Sequence, residues 1–484
     1  MQTIYDVAII GAGAVGAAIA RELSRYHLST VLVEAKSDVG MGTTKANTAI
    51  WHTGFDAKTG TLEAKLLRRS YALMEKFVPE AGIPTESLGG LLVAWTEDQR
   101  QALPALRDRA HANGVTDVRI ISIEEVYRLE PNLNKGVLGG LFVPGESLIC
   151  PFTLPIAFAT QAVLNGVELR LNFPVQRIEQ QDGVTLVHGP DDILRTRFLI
   201  NAAGLYSDEI DHMFGHHDFT VTPRRGELIV YDKFARSLIN HVILPVPTAI
   251  TKGVLISPTV YGNILLGPTA EDLEDKTNTA TSEAGLAMLL EKGRAILPQL
   301  MQEEVTATYA GLRAATEHKD YQIRLHAEQR YVCVGGIRST GVSAAMGIAE
   351  YVGELLTEAG LPLSPKPAFK SVHMPNIGEA GLRPYQRPEL IAQNPDYGQI
   401  MCHCEKVTRG EILDAIHSPV PARTLDGVRR RTRAMQGRCQ GFNCQAAIVD
   451  ILARETGQSP SFLLALETEN NIEPSPIVGA GGEK

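Results

Sequence analysis

Asp6-Val-Ala-Ile-Ile10 runs straight into Gly11-Ala-Gly13-Ala14-Val-Gly16, followed by helix-forming residues to Ser24 and a second apolar run, Val31-Leu-Val-Glu34. Apolar run, glycine turn, helical spacing and apolar run make a strand–turn–helix–strand unit, the opening of a doubly wound parallel sheet. Gly11 permits the tight turn, Gly13 lets backbone N–H groups approach a pyrophosphate at the helix N-terminus, and Gly16 allows close helix–strand packing. Glu34 ends the second strand 23 residues after Gly11, where a carboxylate reaches ribose hydroxyls. A bare glycine pattern also occurs as a structural turn. The acid at the end of the second strand selects nucleotide binding.

Outward from this unit, strand and helix signals alternate over 1–365, and strands of nucleotide-domain type return at Phe198-Leu-Ile-Asn201 and Arg330-Tyr-Val-Cys-Val334. Between them, about 89–175 and 221–312 are richer in turn residues and β-branched runs, such as Leu228-Ile-Val-Tyr231, Gly253-Val-Leu-Ile256 and Asn263-Ile-Leu-Leu266. The expected fold is therefore α/β: a discontinuous Rossmann-type domain with an inserted β-rich substrate domain. Seven prolines over 361–399 break the pattern, so 366–399 is expected to be a surface linker. Residues 400–456 form a small cysteine-bearing helical domain. The segment 457–484 is a tail whose Gly-Ala-Gly-Gly end is expected to be mobile.

With 484 residues, 44% hydrophobic and 21% charged, the composition is that of a globular protein of roughly three domains. A net charge of −9 argues against general affinity for nucleic acid or anionic lipid. The N-terminus enters a strand at once, so no secretory signal is expected, and no apolar run is long enough to span a bilayer. A cytoplasmic protein is expected, at most peripheral to the inner face of the cell membrane through a partner.

Four of six cysteines crowd into the last fifth of the chain: Cys402-His-Cys404, 34 residues, then Cys439-Gln-Gly-Phe-Asn-Cys444. A disulfide framework would spread them through a small secreted domain, so metal or cluster ligation is the better reading. On thiolate chemistry alone, zinc and an iron–sulfur cluster are nearly equal candidates. Cys150 and Cys333 sit in apolar contexts and read as buried thiols. His212, His216 and His217 flank a glycine loop with no adjoining acid or cysteine cluster, so no metal is expected there.

Asn201-Ala-Ala203-Gly204-Leu-Tyr-Ser-Asp208 and Gly335-Gly336-Ile-Arg338-Ser-Thr-Gly341-Val342, together with the opening fingerprint, resemble the D-amino-acid-oxidase-like group of FAD proteins. The resemblance implies FAD held by Gly11, Gly13, Ala14, Gly16 and Glu34. It adds Thr43, Thr44 and Asn47, then Val175, Ala203 and Gly204, and finally Gly336, Arg338, Gly341 and Val342. In that group the last turn points a helix N-terminus at the flavin ring, where a positive end favours the reduced anion. Glu405-Lys-Val-Thr408, Thr424-Leu-Asp426, Arg429-Arg-Arg-Thr-Arg433 and Gly437-Arg-Cys-Gln-Gly441 resemble the bacterioferritin-associated-ferredoxin-like domain. That likeness implies a [2Fe–2S] cluster on Cys402, Cys404, Cys439 and Cys444.

Flavin domain joined to cluster domain is similar to the anaerobic glycerol-3-phosphate dehydrogenase flavoprotein family. Tyr309-Ala-Gly311-Leu-Arg313-Ala matches that family's Tyr-Ser-Gly-Val-Arg-Pro segment, which implies that Arg313 grips the substrate anion with its planar fork. Arg225 stands as a second substrate residue, and Arg338 as a cation beside the reduced flavin. His52, in Ile50-Trp-His52-Thr-Gly54, matches a segment running under the flavin and is either the base for the substrate hydroxyl or a packing residue. Arg225-Gly226-Glu227 replaces the family's Lys-Gly-Ser, and Gly335-Gly-Ile-Arg338-Ser-Thr replaces Gly-Gly-Lys-Leu-Thr-Thr. Both departures lean toward the L-2-hydroxyglutarate oxidases, as does Lys65. The expected activity is oxidation of a small anionic secondary alcohol, glycerol 3-phosphate first and a 2-hydroxy acid second. Electrons would leave through the cluster to a quinone or partner redox subunit. A non-catalytic redox-carrier subunit is the reading from another class.

Overall fold

The computed structural model describes residues 3–247, 253–378 and 381–469. Two compact units divide the chain, residues 1–381 and 382–484.

In the first unit, Ile4–Ile10 lies between Thr30–Val33 and Ile193–Asn201, parallel to both, with Ile10 opposite Val33 on one side and Asn201 on the other. The sheet extends to Glu168–Arg170 beyond Thr30–Val33. Along its other edge, Ile193–Asn201 pairs first with Val184–His188 and then, from Leu199, with Tyr331–Gly335 in parallel. Val7, Ile9, Val31, Val33, Leu199 and Ile200 are buried, as continuous apolar runs covered on both faces must be. Helices Ala14–Leu23, Leu62–Glu80, Thr153–Leu164 and Gly341–Glu358 pack in one layer against each other.

The inserted sheet runs Glu271–Asp272, Thr222–Tyr231, Ile264–Gly267, Leu255–Pro258, Val242–Pro245, Gly90–Ala94, Gly139–Val143, Arg119–Ile121, with Val305–Ala315 pairing Thr222–Tyr231 along most of its length. Its core of Leu91, Val93, Ile229, Tyr231, Ile256 and Leu266 packs with Leu289 of the helix Glu283–Ile296. The first half of the insertion ends earlier than the turn-rich composition suggested. Ser147–Ile149 pairs with Ile50–Trp51 and Thr85–Ser87, and Glu168–Arg170 joins the nucleotide sheet. Short β-branched runs carry no signal for which sheet edge they join.

The proline-rich stretch 366–399 divides between the units. Up to residue 378 it is tied along the first unit: Lys366 N–H donates to Arg25 O at 2.8 Å, Lys370 N–H to Asn165 Oδ1 at 2.8 Å and Met374 N–H to Ala81 O at 2.8 Å. From residue 382 it belongs to the second unit, where a buried Arg383–Glu411 ion pair at 2.6 Å holds it. Pro384, Pro388 and Pro395 stand at helix starts, where the missing N–H costs nothing. They begin short helices.

In the second unit the strands Ile400–Cys402 and Val407–Thr408 lead into helices Arg409–His417, Leu425–Thr432, Gln445–Thr456 and Pro460–Glu469. The last of these, in the stretch read as a tail, sends Leu463 into the same core as Ile412, Val428 and Leu452. The expected mobile end lies outside the described residues. Among the described residues no helix is long and apolar enough to cross a membrane.

Candidate active site and cluster site

The helix Ala14–Leu23 starts at Gly13 with no side-chain cap from that residue and no acid in its first turn, so its positive end is suited to receive an anion. Gly11 has φ +97°, and a Cβ there would stand 2.5 Å from Ala202 O; a Cβ on Gly16 would stand 1.8 Å from Gly11 O. Only glycine fits either place. Glu34 accepts from Ala12 N–H at 2.8 Å and Lys36 N–H at 2.9 Å. Burial pushes its carboxyl above the usual range, against the pull of those donors. Ala14 N–H donates to Thr44 Oγ1 at 3.1 Å, Thr43 Oγ1 donates to Leu312 O at 2.7 Å, and the Asn47 side chain bridges Thr44 O and Ala49 N–H. These contacts fasten 43–47 between the first helix and the strand Val305–Ala315. Val175 and Ala203 pack against the sheet core, and Gly204 has φ +60° with open space where a Cβ would be.

A second helix N-terminus opens at the same place. Gly341 begins Gly341–Glu358 without a side-chain cap, and a Cβ on it would touch Val15 at 3.8 Å. Gly336 (φ +64°) makes the turn before it, and Val342 is half-buried in its first turn. Ser343 Oγ in that turn accepts from His52 N–H at 2.9 Å.

His52 Nδ1 lies 2.7 Å from Glu146 Oε2, and the Glu146 side chain is fully buried. The other carboxylate oxygen accepts from Thr53 N–H at 2.7 Å and Thr53 Oγ1 at 2.8 Å. A carboxylate so placed keeps the proton on Nδ1 and leaves Nε2 as the basic nitrogen.

The two arginines expected to share the substrate do not converge. Arg224 pairs directly with Arg313 across the strands, so both project from the face on which Gly311 meets Ala46 and Tyr309 OH reaches Asn47 O at 2.8 Å. Arg225, one residue on, projects from the opposite face. There it is met by Glu271 at 2.5 Å, Glu227 at 3.5 Å and Ala280 O at 2.8 Å. Strand alternation decides this. Arg313 Nη2 donates to Thr269 O at 2.6 Å and Arg225 O at 3.3 Å, and its Nε to Arg224 O at 3.4 Å. Burial first, and then Arg224, bring its guanidinium down to about 10, still charged at neutral pH. Arg338 is met by Glu63 at 2.5 Å.

In the second unit Cys402 and Cys444 are buried and Cys404 and Cys439 half-buried. The four sulfurs lie close enough to interact, Cys402 with Cys444 and Cys404 with Cys439. The contact with Cys444 brings Cys402 down to about 6, the Asn443 N–H pulls Cys439 down, and burial pushes Cys404 up. Backbone N–H groups of Glu405, Met435 and Gly441 also point at these sulfurs. Left-handed residues Lys406, Met435, Gln440 and Gly441 turn the chain so that its amides face inward, a nest for an anionic group. A Cβ on Gly437 would stand 2.3 Å from Cys404 Cβ, so glycine is required there too.

Residues 6–355 match the family described as DAO: FAD dependent oxidoreductase. The chain belongs to the FAD-dependent oxidoreductases. Residues 400–454 match the BFD-like [2Fe-2S] binding domain. The oxidoreductase is similar to glycerol 3-phosphate dehydrogenase of Caloramator mitchellensis, 39% identical over 94% of this chain and 95% of that one. It is also similar to glycerol 3-phosphate oxidase of Mycoplasma pneumoniae, 34% identical over 72% of this chain and 94% of the relative. Among solved structures it resembles the dithionite-reduced L-alpha-glycerophosphate oxidase of Mycoplasma pneumoniae with FAD bound. The TM-score there is 0.73 and the identity 32%, covering 78% of this chain and all of that one.

The enzyme's cofactors are therefore FAD and a [2Fe–2S] cluster. The donor sets fit both: two uncapped helix N-termini and glycine turns for the nucleotide, and paired thiolates under backbone amides for the cluster. Sequence reasoning missed Glu146 and Glu63. Glu146 lies 94 residues from His52. Its turn, Pro144-Gly145-Glu146, carries no spacing that links it to the histidine. The His212 and His217 rings lie tilted with centroids 4.4 Å apart, and His216 stacks on His326 at 3.6 Å.

Proposed function

We propose that this oxidoreductase converts glycerol 3-phosphate to dihydroxyacetone phosphate and exports the electrons through its cluster to a quinone or a partner redox subunit. The carrying observation is the likeness to the Caloramator mitchellensis dehydrogenase, which spans 455 residues and so includes the cluster domain. When bound, the flavin accepts a hydride from a C–H bond and the cluster passes electrons on singly. The chain's own residues supply the rest. Arg313, on the face turned to 43–47, anchors the anionic end by a charge-assisted, forked contact. His52 Nε2 takes the hydroxyl proton as the C–H bond breaks, and Glu146 steadies the imidazolium that results. Peripheral association with the cytoplasmic face of the membrane, through a partner, belongs to the same reading.

A second reading, oxidation of an L-2-hydroxy acid, draws on similarity to bovine mitochondrial L-2-hydroxyglutarate dehydrogenase, 30% identical over 55% of this chain and 61% of that one. Arg225-Gly226-Glu227 favours it, although Arg225 faces away from Arg313. The test is anaerobic mixing of the FAD-loaded enzyme with each substrate, followed by the flavin's visible absorbance. Glycerol 3-phosphate should bleach the flavin at the lower concentration. Preferential bleaching by L-2-hydroxyglutarate would replace the first reading with the second. Bleaching by neither would favour a redox-carrier subunit.

A further inference from the structure

The helix Gly341–Glu358 starts from a turn in which Arg338 and Thr340 share one carboxylate. Glu63, in the first turn of Leu62–Glu80, accepts from Arg338 Nη2 at 2.5 Å and from Thr340 Oγ1 at 2.8 Å. It is braced from behind: Asp320 accepts from Leu62 N–H at 2.7 Å and Glu63 N–H at 2.9 Å, and Tyr321 OH lies 2.6 Å from Thr340 Oγ1. Arg338 has a left-handed backbone, φ +54°, and forms a β-bridge to Ala314, the neighbour of Arg313. Arg338 thus lies beside the strand that carries Arg313. Arg313 is held there by carbonyl oxygens, and Arg338 is met by a carboxylate. The buried Arg338 Nε has no acceptor among the described residues, which marks a donor that a bound group can satisfy.

We infer that Glu63 is a positioning residue that clamps Arg338 and Thr340 and offsets the Arg338 charge beside the flavin. The reduced, anionic ring then meets the helix N-terminus and a neutralised guanidinium instead of a bare one. Removing the Glu63 charge should favour flavin reduction, and removing the Arg338 charge should oppose it. The inference rests on FAD lying at this turn and not on the substrate's identity.

The experiment is an anaerobic reductive titration of the full-length, FAD-loaded protein with a chemical reductant and mediator dyes, without substrate. Glu63→Gln should raise the ratio of reduced to oxidised flavin about tenfold, which is about 30 mV for a two-electron couple. Arg338→Gln should lower it comparably, and the double variant should return close to wild type. A clamp with only a packing role would change FAD content or Tm without this ordered change of sign. An unchanged or lowered potential in Glu63→Gln overturns the inference, as does a double variant that fails to return. If Glu63→Gln does not hold FAD, Arg338→Gln decides alone, and an unshifted potential there rejects it. Failure of the glycerol 3-phosphate reading leaves this measurement intact, because no substrate is used.

Discussion

At the scale of single residues, the site is set by which carboxylate meets which cation. His52 became interpretable only beside Glu146, whose two oxygens are taken by His52 and Thr53. A histidine with one nitrogen fixed in this way is prepared to accept a proton at the other without searching for a tautomer. Glu146→Gln keeps the shape but loses the charge that steadies the imidazolium. Its amide can also donate to Nδ1 and select the wrong tautomer. Anaerobic flavin reduction by the best substrate should slow by about a hundred- to ten-thousand-fold, the range general-base catalysis contributes. FAD content should hold, because Glu146 contacts His52 and Thr53 and not the glycine turns expected to hold the nucleotide. A variant reducing its flavin at the normal rate would remove His52 from proton transfer.

At the scale of elements, register decides more than composition does. The pairing of Arg224 with Arg313 puts Arg225 on the face of Glu227 and the helix Glu283–Ile296, and the same register brings Gly226 opposite Gly311. Gly311 is where the inserted sheet touches the nucleotide domain: a Cβ there would stand 2.3 Å from Ala46 O and 2.8 Å from Ala46 Cβ. Backbone cannot swing aside as a side-chain tip can. Gly311→Ala should therefore displace 43–47 or the strand, at a cost of about 1–3 kcal/mol in stability. Less FAD should be retained per chain after gel filtration, with iron content unchanged. Full FAD retention and an unshifted Tm would show that the approach tolerates a methyl group.

At the scale of the whole molecule, the chain holds two separately cored units, 1–381 and 382–484. Cys402 and Cys444 are themselves part of the second core, beside Val407, Ile412 and Ile448. Prepared anaerobically, the protein should carry about two irons and about two labile sulfides per chain. Cys439→Ser should lose them, since one of the two thiolate pairs is broken, while the flavin-to-protein ratio stays at the wild-type value. Stoichiometric zinc without iron in the wild type would end the electron-export argument. Loss of FAD from Cys439→Ser would show that the two units do not fold independently.

The sequence by itself determined the nucleotide fold, because glycine turns and apolar runs are local demands of backbone geometry: Gly11 has φ +97°, and a Cβ on Gly16 would stand 1.8 Å from Gly11 O within the same turn. Four cysteines gathered in one short stretch likewise announced a ligand set, and the family likeness of the residues around them chose iron over zinc. What lay beyond sequence was everything set by contacts between distant strands. No local signal tells that Arg313 and Arg224 share a face while Arg225 turns away, since a shift of one residue in register would exchange them. Nor could spacing reveal that Glu146 reaches His52 across 94 residues, or that Glu63 reaches Arg338 across 275. Three of the prolines read as breaking any long helix, Pro384, Pro388 and Pro395, start short ones, because proline forbids only the helix interior. The partners of buried charges are chosen by the fold, and only the tertiary structure could name them.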